Sequence, residues 1–243
     1  MRRIRTAAVL GTGAVGSALL RELPKAGVHV IAKWSRAQGQ LPPLQRADAV
    51  FLAVPDGAIA GVAARLHSAP AQLVVHLAGA LDLRALLPAK RRGSMHPLRA
   101  FTGSEDFRGA AAGIAGSDAP ARAQLADLAR RLGMQPIRAE RSRALYHAAA
   151  VLAAGAQVAL FAEAVRAFRK ATGASEPAAR AALLPLALGA LRNGAITGPV
   201  ARGDTATIAA HRKALPRDLL PLYDLLTKAM LEHAGRQRSR RRT

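Results

Sequence analysis

A glycine-rich turn near the N-terminus constrains the fold of this chain more than any other feature. Gly11, Gly13 and Gly16 fit the pattern G-x-G-x-x-G, after a short apolar run at residues 5–10 and before apolar residues at helical spacing over 15–23. The first glycine permits a tight turn, the second lets the backbone approach a pyrophosphate, and the third lets helix and strand pack closely. The order strand, turn, helix therefore predicts a dinucleotide site at a helix N-terminus, where free N–H groups favour phosphate.

Predicted strands and helices continue to alternate through the first 140 residues. Strand-like apolar runs occur at residues 28–32, 49–54 and 73–77, in the segment that leads into Met95, and at 110–116 and 134–139. Helical patterns separate several of them, with one helix expected to begin at Asp56, capped by its carboxylate, and another to cover 120–132. This alternation predicts an α/β fold with a Rossmann-type parallel sheet and helices on both faces.

The pattern changes at Arg141, where strand-like runs cease. Long helices rich in alanine and leucine are predicted at about 141–172, 176–193, 204–214 and 217–235. We therefore predict a dinucleotide-binding domain over residues 1–140 and an all-α domain over 141–243. The second domain ends in a basic tail at 236–243.

Composition excludes several classes of protein. The absence of cysteine excludes disulfide scaffolds, iron–sulfur ligation and thiol catalysis, and the histidines lack metal-ligand spacing, so we expect no metal. The net charge is +21, yet aromatic residues make up only 3% of the chain, too few for the stacking platforms of single-strand binders. We therefore do not expect a nucleic-acid partner, and we treat the arginine tail as a solvated segment.

Two further observations bear on location. No run of 18 apolar residues occurs, so we expect no membrane-spanning helix. The basic and apolar start imitates a secretory signal, but Arg21–Lys25 follows where a small-residue cleavage site should lie. These features predict a cytoplasmic protein.

The choice of coenzyme should be visible at the end of the second strand. Sites for NAD usually place an acidic residue there, whereas this chain has none between Leu23 and Ala47. Instead, this chain has the cationic and hydrogen-bonding residues Lys33, Trp34, Ser35 and Arg36. These residues suit a 2′-phosphate, because a guanidinium can bind phosphate with two hydrogen bonds. We predict NADP(H) as the cofactor, bound by Gly11, Thr12, Gly13, Ala14, Val15, Gly16, Ser35, Arg36, Ala53, Val54 and Pro55.

Two histidines are candidates for proton transfer. Ligands of open α/β sheets bind beyond the carboxyl ends of the strands, and His96 follows such a strand, in the segment Gly93–Pro97. His147 lies at the start of the long helix. Imidazole titrates near neutrality and can give a proton to a substrate oxygen or nitrogen during hydride transfer. In the later segment Thr197–Asp204, Arg202 could bind a substrate carboxylate, or the segment could simply connect two helices.

Taken together, the motifs resemble a known family. G-T-G-A-V-G at 11–16, L-A-V-P-D at 52–56, S-M-H-P at 94–97, L-Y-H-A-A-A-V at 145–151 and T-G-P-V-A-R-G-D at 197–204 are similar, in content and order, to bacterial Rossmann-like oxidoreductases whose C-terminal half is a domain of unknown function. The resemblance implies an NADP-binding domain, a small-molecule substrate and a homodimer formed through the helical domain. It also implies kinship with β-hydroxyacid dehydrogenases, pyrroline-carboxylate reductase and ketopantoate reductase.

Two departures from the family pattern affect the expected substrate side. Ala78 replaces a serine common in relatives, and Gly155 replaces an asparagine. We predict an oxidoreductase acting on a small carbonyl, imine or hydroxy acid, with His96, His147 and Arg202 as site residues. Because the two departures remove hydrogen-bonding side chains, a non-catalytic NADP(H)-binding or redox-sensing dimer is an alternative, and the His-Pro turn leaves a prephenate-dehydrogenase-like enzyme as another.

Overall fold

The structure, a computed structural model, describes the backbone of residues 3–240 and the side chains of residues 3–236. Of the predicted basic tail, only the side chain of Arg236 lies within this range. The chain divides into two compact units, Met1–Val151 and Leu152–Thr243. The division lies beyond the boundary expected at residue 140, because the start of the next helix packs onto the sheet of the first unit.

Within the described residues, the first unit contains a seven-stranded sheet with the order β2-β1-β3-β4-β5-β6-β7. Its strands are β1 (Thr6–Leu10), β2 (His29–Trp34), β3 (Ala49–Leu52), β4 (Leu73–His76), β5 (Arg91–Leu98), β6 (Ala111–Gly116) and β7 (Gln135–Arg138). The pairs from β2 to β5 are parallel. The predicted Rossmann-type α/β fold is confirmed.

Two strands, β6 and β7, run opposite to the other strands of the sheet. β6 runs antiparallel to β5, with His96 opposite Gly113 in the register. A parallel return requires a crossover connection, usually a helix. Residues 99–110 form no helix between the two strands, so the chain turns back and pairs in the opposite direction.

Helices cover both faces of this sheet. The first unit contains α1 (Ala14–Lys25), α2 (Ile59–Ala64) and α3 (Ala119–Arg131). Ala7 and Val9 of β1 belong to the core that includes residues of α1 and α3, and Ala8 belongs to the core that includes residues of α2. Successive side chains of a strand point to opposite faces, so this short apolar strand contributes to both cores.

The segment after β3 begins differently from the prediction. Asp56–Ala58 forms a single 3₁₀ turn, α2 starts at Ile59, and the side chain of Asp56 makes no capping hydrogen bond. The turn follows Pro55, whose ring favours extended backbone.

The remaining helices are α4 (Arg143–Ala153), α5 (Gly155–Thr172), α6 (Glu176–Asn193), α7 (Gly198–Arg202), α8 (Thr205–Ala214) and α9 (Leu220–Arg240). The long helix predicted over 141–172 is broken at Ala154, which has non-helical backbone angles. The break precedes Gly155, and glycine lowers helix stability by about 1 kcal/mol relative to alanine.

The segment Arg143–Thr172, which spans α4 and α5, is long and apolar enough to cross a membrane by length and composition, and it is largely exposed in the single chain. The sequence analysis expected no such segment. Its criterion required an uninterrupted apolar run. This stretch has a high mean hydropathy even though Gln157 and a glycine interrupt it.

Candidate functional site

The glycine turn is held together by close backbone packing. Gly11 has a φ of +111°, and a Cβ atom there would overlap the carbonyl oxygen of Ala53. A Cβ atom on Gly16 would overlap the carbonyl of Gly11, whereas one on Gly13 would meet nothing within 4 Å. The first and third glycines are therefore required by the fold itself, and the second leaves open space in front of α1.

Two neighbouring strands fix the position of this turn. The Gly11 N–H donates to the carbonyl of Trp34 at 2.8 Å, and the Ala53 N–H donates to the carbonyl of Leu10 at 2.7 Å. The turn thus lies between the carboxyl ends of β2 and β3. A ligand of an open α/β sheet binds in such a crevice, and the open space at Gly13 lies at this point.

The end of β2 carries the residues predicted to select the coenzyme. Trp34 is buried, Ser35 begins a 3₁₀ turn, and Arg36 is exposed within that turn. Arg65, which the sequence analysis did not single out, lies with its guanidinium 5.9 Å from the centre of the Trp34 ring and donates to the Gly39 carbonyl. A second cation therefore borders the strand end.

The two predicted histidines meet in one cluster of the first unit. The ring centroids of His96 and His147 are 5.8 Å apart, with the planes inclined by 73°. Gly79, just beyond β4, lies beside both rings, because a Cβ atom there would overlap Cδ2 of His147 and come within 2.9 Å of Cε1 of His96. Residues that the sequence offered as separate candidates thus share one position at the sheet edge.

Tyr146 completes this cluster. Its hydroxyl oxygen lies 3.0 Å from Nδ1 of His96, and the two rings pack edge to face at 5.6 Å. A Cβ atom on Gly113 would overlap the phenol oxygen, so the glycine opposite His96 in the sheet makes room for the hydroxyl.

Arg143 anchors α4 to the sheet. Its buried guanidinium donates to the carbonyls of Ala78, Leu81 and Ala139 and, at 2.8 Å, to Oγ of Ser94. The same guanidinium lies 5.4 Å from the centre of the Tyr146 ring. These contacts fix the helix turn that carries Tyr146 and His147, which follow Arg143 by three and four residues on one face.

Burial shapes the protonation states of the cluster. It lowers the pKa of His96 to about 4, and the charges of Arg143 and His147 act in the same direction. It raises the pKa of Tyr146 above its usual value, against the effect of Arg143. At neutral pH the cluster therefore contains a neutral imidazole that faces a protonated phenol.

Arg202 lies in the second unit and is described separately. It is exposed at the end of α7, and Gly203 follows in the left-handed conformation. Asp204 caps α8 by accepting hydrogen bonds from the backbone N–H and the hydroxyl of Thr207. The role of Arg202 as a carboxylate ligand remains a prediction.

The sequence analysis did not name Tyr146 or Arg143 as site residues. Both had a detectable signal, because Arg143, Tyr146 and His147 share one helical face at i, i+3 and i+4. The contact of Gly79 with both rings could not be predicted, because segments distant in the sequence bring the two rings beside it.

Comparison with known proteins supports the fold. Residues 110–230 match the family model described as "Domain of unknown function (DUF2520)". The resemblance drawn from the motifs is thereby confirmed, and no curated protein matches the sequence.

Several solved structures share the architecture over nearly the whole chain. BF3122 of Bacteroides fragilis, provisionally named an NADP oxidoreductase, is 21% identical, with 94% of this chain and 98% of that chain covered and a TM-score of 0.76. Protein TM1727 of Thermotoga maritima is 23% identical over 96% and 99%, also with a TM-score of 0.76. The 1-pyrroline-5-carboxylate reductase of Streptococcus pyogenes is 16% identical over 94% and 97%, with a TM-score of 0.60. At these identities the likeness establishes the fold.

Proposed function

We propose that this protein is an NADP(H)-dependent oxidoreductase that transfers a hydride between nicotinamide and a small carbonyl, imine or hydroxy-acid substrate. One observation carries the proposal. The glycine turn, with open space at Gly13, lies at the carboxyl ends of β2 and β3, and the cluster of His96, Tyr146 and His147 lies at the same edge of the sheet, beyond β4 and along β5. A dinucleotide bound at the glycine turn would extend across β3 and β4 toward that cluster.

The chain's own residues would bind the coenzyme through its phosphates. The N-terminal amides of α1 face the space that Gly13 leaves open, and the helix dipole favours an anion there. Ala53, Val54 and Pro55 would line the path toward the nicotinamide end. When bound, the coenzyme supplies or accepts the hydride.

Proton transfer would fall to the histidine cluster. His96 and His147 lie close enough to each other to face one substrate atom, and either ring can exchange a proton with an oxygen or nitrogen.

The coenzyme preference follows from charge. Arg36 is exposed at the end of β2, and the stretch from Leu23 to Ala47 contains no carboxylate side chain that would repel a 2′-phosphate. We therefore propose NADP(H) over NAD(H). The oxidoreductase name of the Bacteroides fragilis relative, which includes NADP, supports this choice.

We further propose a cytoplasmic homodimer formed through the helical unit. Leucines of α6 are exposed in the single chain, at 71% for Leu186 and 63% for Leu191, and exposed apolar surface of this kind marks an interface. A second copy accounts for the apolar Arg143–Thr172 stretch better than a bilayer does, because Arg143 at its start is fixed to carbonyls in the connection between β4 and β5. Light scattering gives the mass that tests this assembly.

A second candidate function is a non-catalytic NADP(H)-binding dimer. Ala78 and Gly155 favour it, because neither offers the side-chain hydrogen bond that the family resemblance implies at these positions. The Ala78 carbonyl is already occupied by Arg143.

Calorimetric titration with NADPH and NADH tests the binding step, and loss of NADPH absorbance with keto acids, aldehydes and cyclic imines tests turnover. The reverse assay with NADP⁺ includes hydroxy acids and prephenate. We expect tighter binding of NADPH, and His96→Gln to lower kcat by about 10²-fold or more, with exposed His67→Gln as the control. No binding of either nucleotide would overturn the proposal, and binding without turnover would favour the second candidate.

A further inference from the structure

The contact between Tyr146 and His96 has a defined direction. Nδ1 of His96 lies 3.0 Å from the Tyr146 hydroxyl, and a neutral imidazole has one nitrogen that donates and one that accepts. A phenol hydroxyl donates a hydrogen bond more strongly than it accepts one, and the unprotonated nitrogen of a neutral imidazole is a good acceptor. The hydroxyl proton of Tyr146 therefore points at Nδ1 of His96.

The direction of this hydrogen bond determines which nitrogen of His96 carries a proton that a substrate could receive. If Nδ1 accepts, Nε2 carries the hydrogen of the neutral ring. A neutral imidazole that gives up its Nε2 proton must regain one at Nδ1, because an imidazolate ion is very unfavourable near pH 7. The hydroxyl group of Tyr146 contacts Nδ1 and can supply this proton.

Arg143 provides the charge that such an exchange needs. Its guanidinium is buried, its hydrogen bonds go to three carbonyls and one hydroxyl, and it lies 5.4 Å from the centre of the Tyr146 ring. None of these four acceptors carries a negative charge. The cation would thus stabilise a phenolate at Tyr146.

We propose that Tyr146 is a positioning residue that supplies, through His96, the proton that a carbonyl substrate takes up on reduction. This inference rests on the proposed function. As hydride adds to the carbonyl carbon, the C=O electron pair moves to oxygen, which takes the Nε2 proton of His96. Nδ1 takes the Tyr146 hydroxyl proton, leaving a phenolate beside Arg143 that solvent reprotonates. In the direction of oxidation, each proton moves the opposite way.

The relay also favours one substrate class. It delivers a neutral donor beside a buried cation, which stabilises negative charge on oxygen. Reduction of an iminium ion would place a positive charge near Arg143 instead. We therefore expect ketones, aldehydes or their alcohols to react faster than cyclic imines, by about tenfold or more.

The chain contains a matched control for the test. Tyr223 is the other of its two tyrosines, and its hydroxyl lies 2.8 Å from Nδ1 of His211 with the rings edge to face at 6.0 Å. This pair belongs to the second unit. Tyr146→Phe and Tyr223→Phe each remove one hydroxyl from a tyrosine–histidine pair and keep the aromatic ring.

The experiment combines ¹⁵N NMR of the histidine rings with kinetics on the full chain. The His96 signals are assigned by their loss in His96→Gln. In the unmodified protein we expect Nε2 to be protonated and Nδ1 to be a hydrogen-bonded acceptor. Tyr146→Phe should shift the Nδ1 resonance of His96 and lower kcat about tenfold to hundredfold with little change in KM, whereas Tyr223→Phe should change neither.

The outcomes separate this inference from the function on which it rests. A proton on Nδ1 of His96, His96 signals unchanged in Tyr146→Phe, or an unchanged kcat in that variant would overturn the relay alone. Faster turnover of imines than of carbonyls would overturn the substrate class. Absence of coenzyme binding or turnover in the unmodified protein would overturn the proposed function and the relay with it, even if the NMR signals of His96 agree.

Discussion

The imidazole rings of His96 and His147 lie 5.8 Å apart, edge to face, although 50 residues of sequence separate them. His96 is carried by β5 and His147 by α4, and Gly79 after β4 lies against both rings. The absence of a side chain at residue 79 is thus what allows two imidazole rings to share one strand end.

Replacing Gly79 by alanine should disable the cluster without unfolding the protein. The added Cβ atom would overlap His147 and press on Cε1 of His96, and both rings are only partly buried, so they can move away. We expect Gly79→Ala to reduce kcat by about tenfold to a thousandfold, since small misplacements of reacting groups are costly. Steady-state kinetics measures this loss.

Gly61→Ala is the matched control for that change. Gly61 lies in α2, where an added Cβ atom meets nothing within 4 Å. This variant should therefore keep full activity, and its Tm should rise slightly because alanine favours a helix more than glycine does. Full activity in Gly79→Ala would show that the contact of the two rings with residue 79 does not matter for turnover.

Gly13→Ala should separate coenzyme binding from folding. Gly13 has a φ of −66°, which alanine adopts readily, and open space at its Cβ position. A methyl group there would meet the pyrophosphate rather than the protein. We expect an unchanged Tm in the absence of ligand, together with NADPH affinity reduced at least about tenfold in calorimetry. Gly57→Ala, also with open space around it, should bind NADPH normally, and normal binding by Gly13→Ala would place the phosphates elsewhere.

Arg36 should contribute to NADPH affinity and not to NADH affinity. A charge-assisted hydrogen bond to phosphate is worth about 1.5–3 kcal/mol, so Arg36→Ala should weaken NADPH binding about tenfold to a hundredfold. The Kd for NADH, which lacks the 2′-phosphate, should stay within about twofold. Arg46→Ala, an exposed arginine before β3, serves as the control. An equal loss for both coenzymes would assign Arg36 a general electrostatic effect.

Acid should destabilise the first unit through its buried histidines. Burial, reinforced by Arg143, lowers the pKa of His76 to about 4, and that of His96 falls to about 4 as well. Unfolded histidine titrates near 6.5. The unfolded chain therefore binds more protons between about pH 6.5 and pH 4, and the free energy of unfolding decreases as the pH falls through this window.

His76→Leu tests that dependence. His76 is fully buried, and neither ring nitrogen has a hydrogen bond of normal geometry within the described residues, although Asp82 partly offsets the fall in its pKa. Urea unfolding measures the free energy of unfolding at pH 7 and at pH 5. The decrease between these two pH values should be smaller in the variant than in the unmodified protein, by on the order of 1–2 kcal/mol. Exposed His67→Gln should leave the loss unchanged. A marked loss of stability in His76→Leu at pH 7 would mean that the ring has a polar partner.

Local signals explain why much of the fold could be predicted. The glycine turn, the short apolar strands and the change to alanine-rich helices depend on neighbouring residues, so the α/β class and the helix Glu176–Asn193 follow from the sequence. Errors arose where one element depends on another. The antiparallel direction of β6, the 3₁₀ turn at Asp56 and the break at Ala154 depend on connections and packing that no short window contains.

The sequence by itself determined that this chain forms a strand, a glycine turn and a helix able to receive phosphate, because those properties arise from adjacent backbone. Only the tertiary structure decided that Tyr146 contacts His96 and that Arg143 holds α4 on the first unit. The same is true of Gly79 and Gly113, which leave room for the rings of this cluster. Such contacts join β4, β5, β6 and α4, and their geometry exists only after the sheet has assembled.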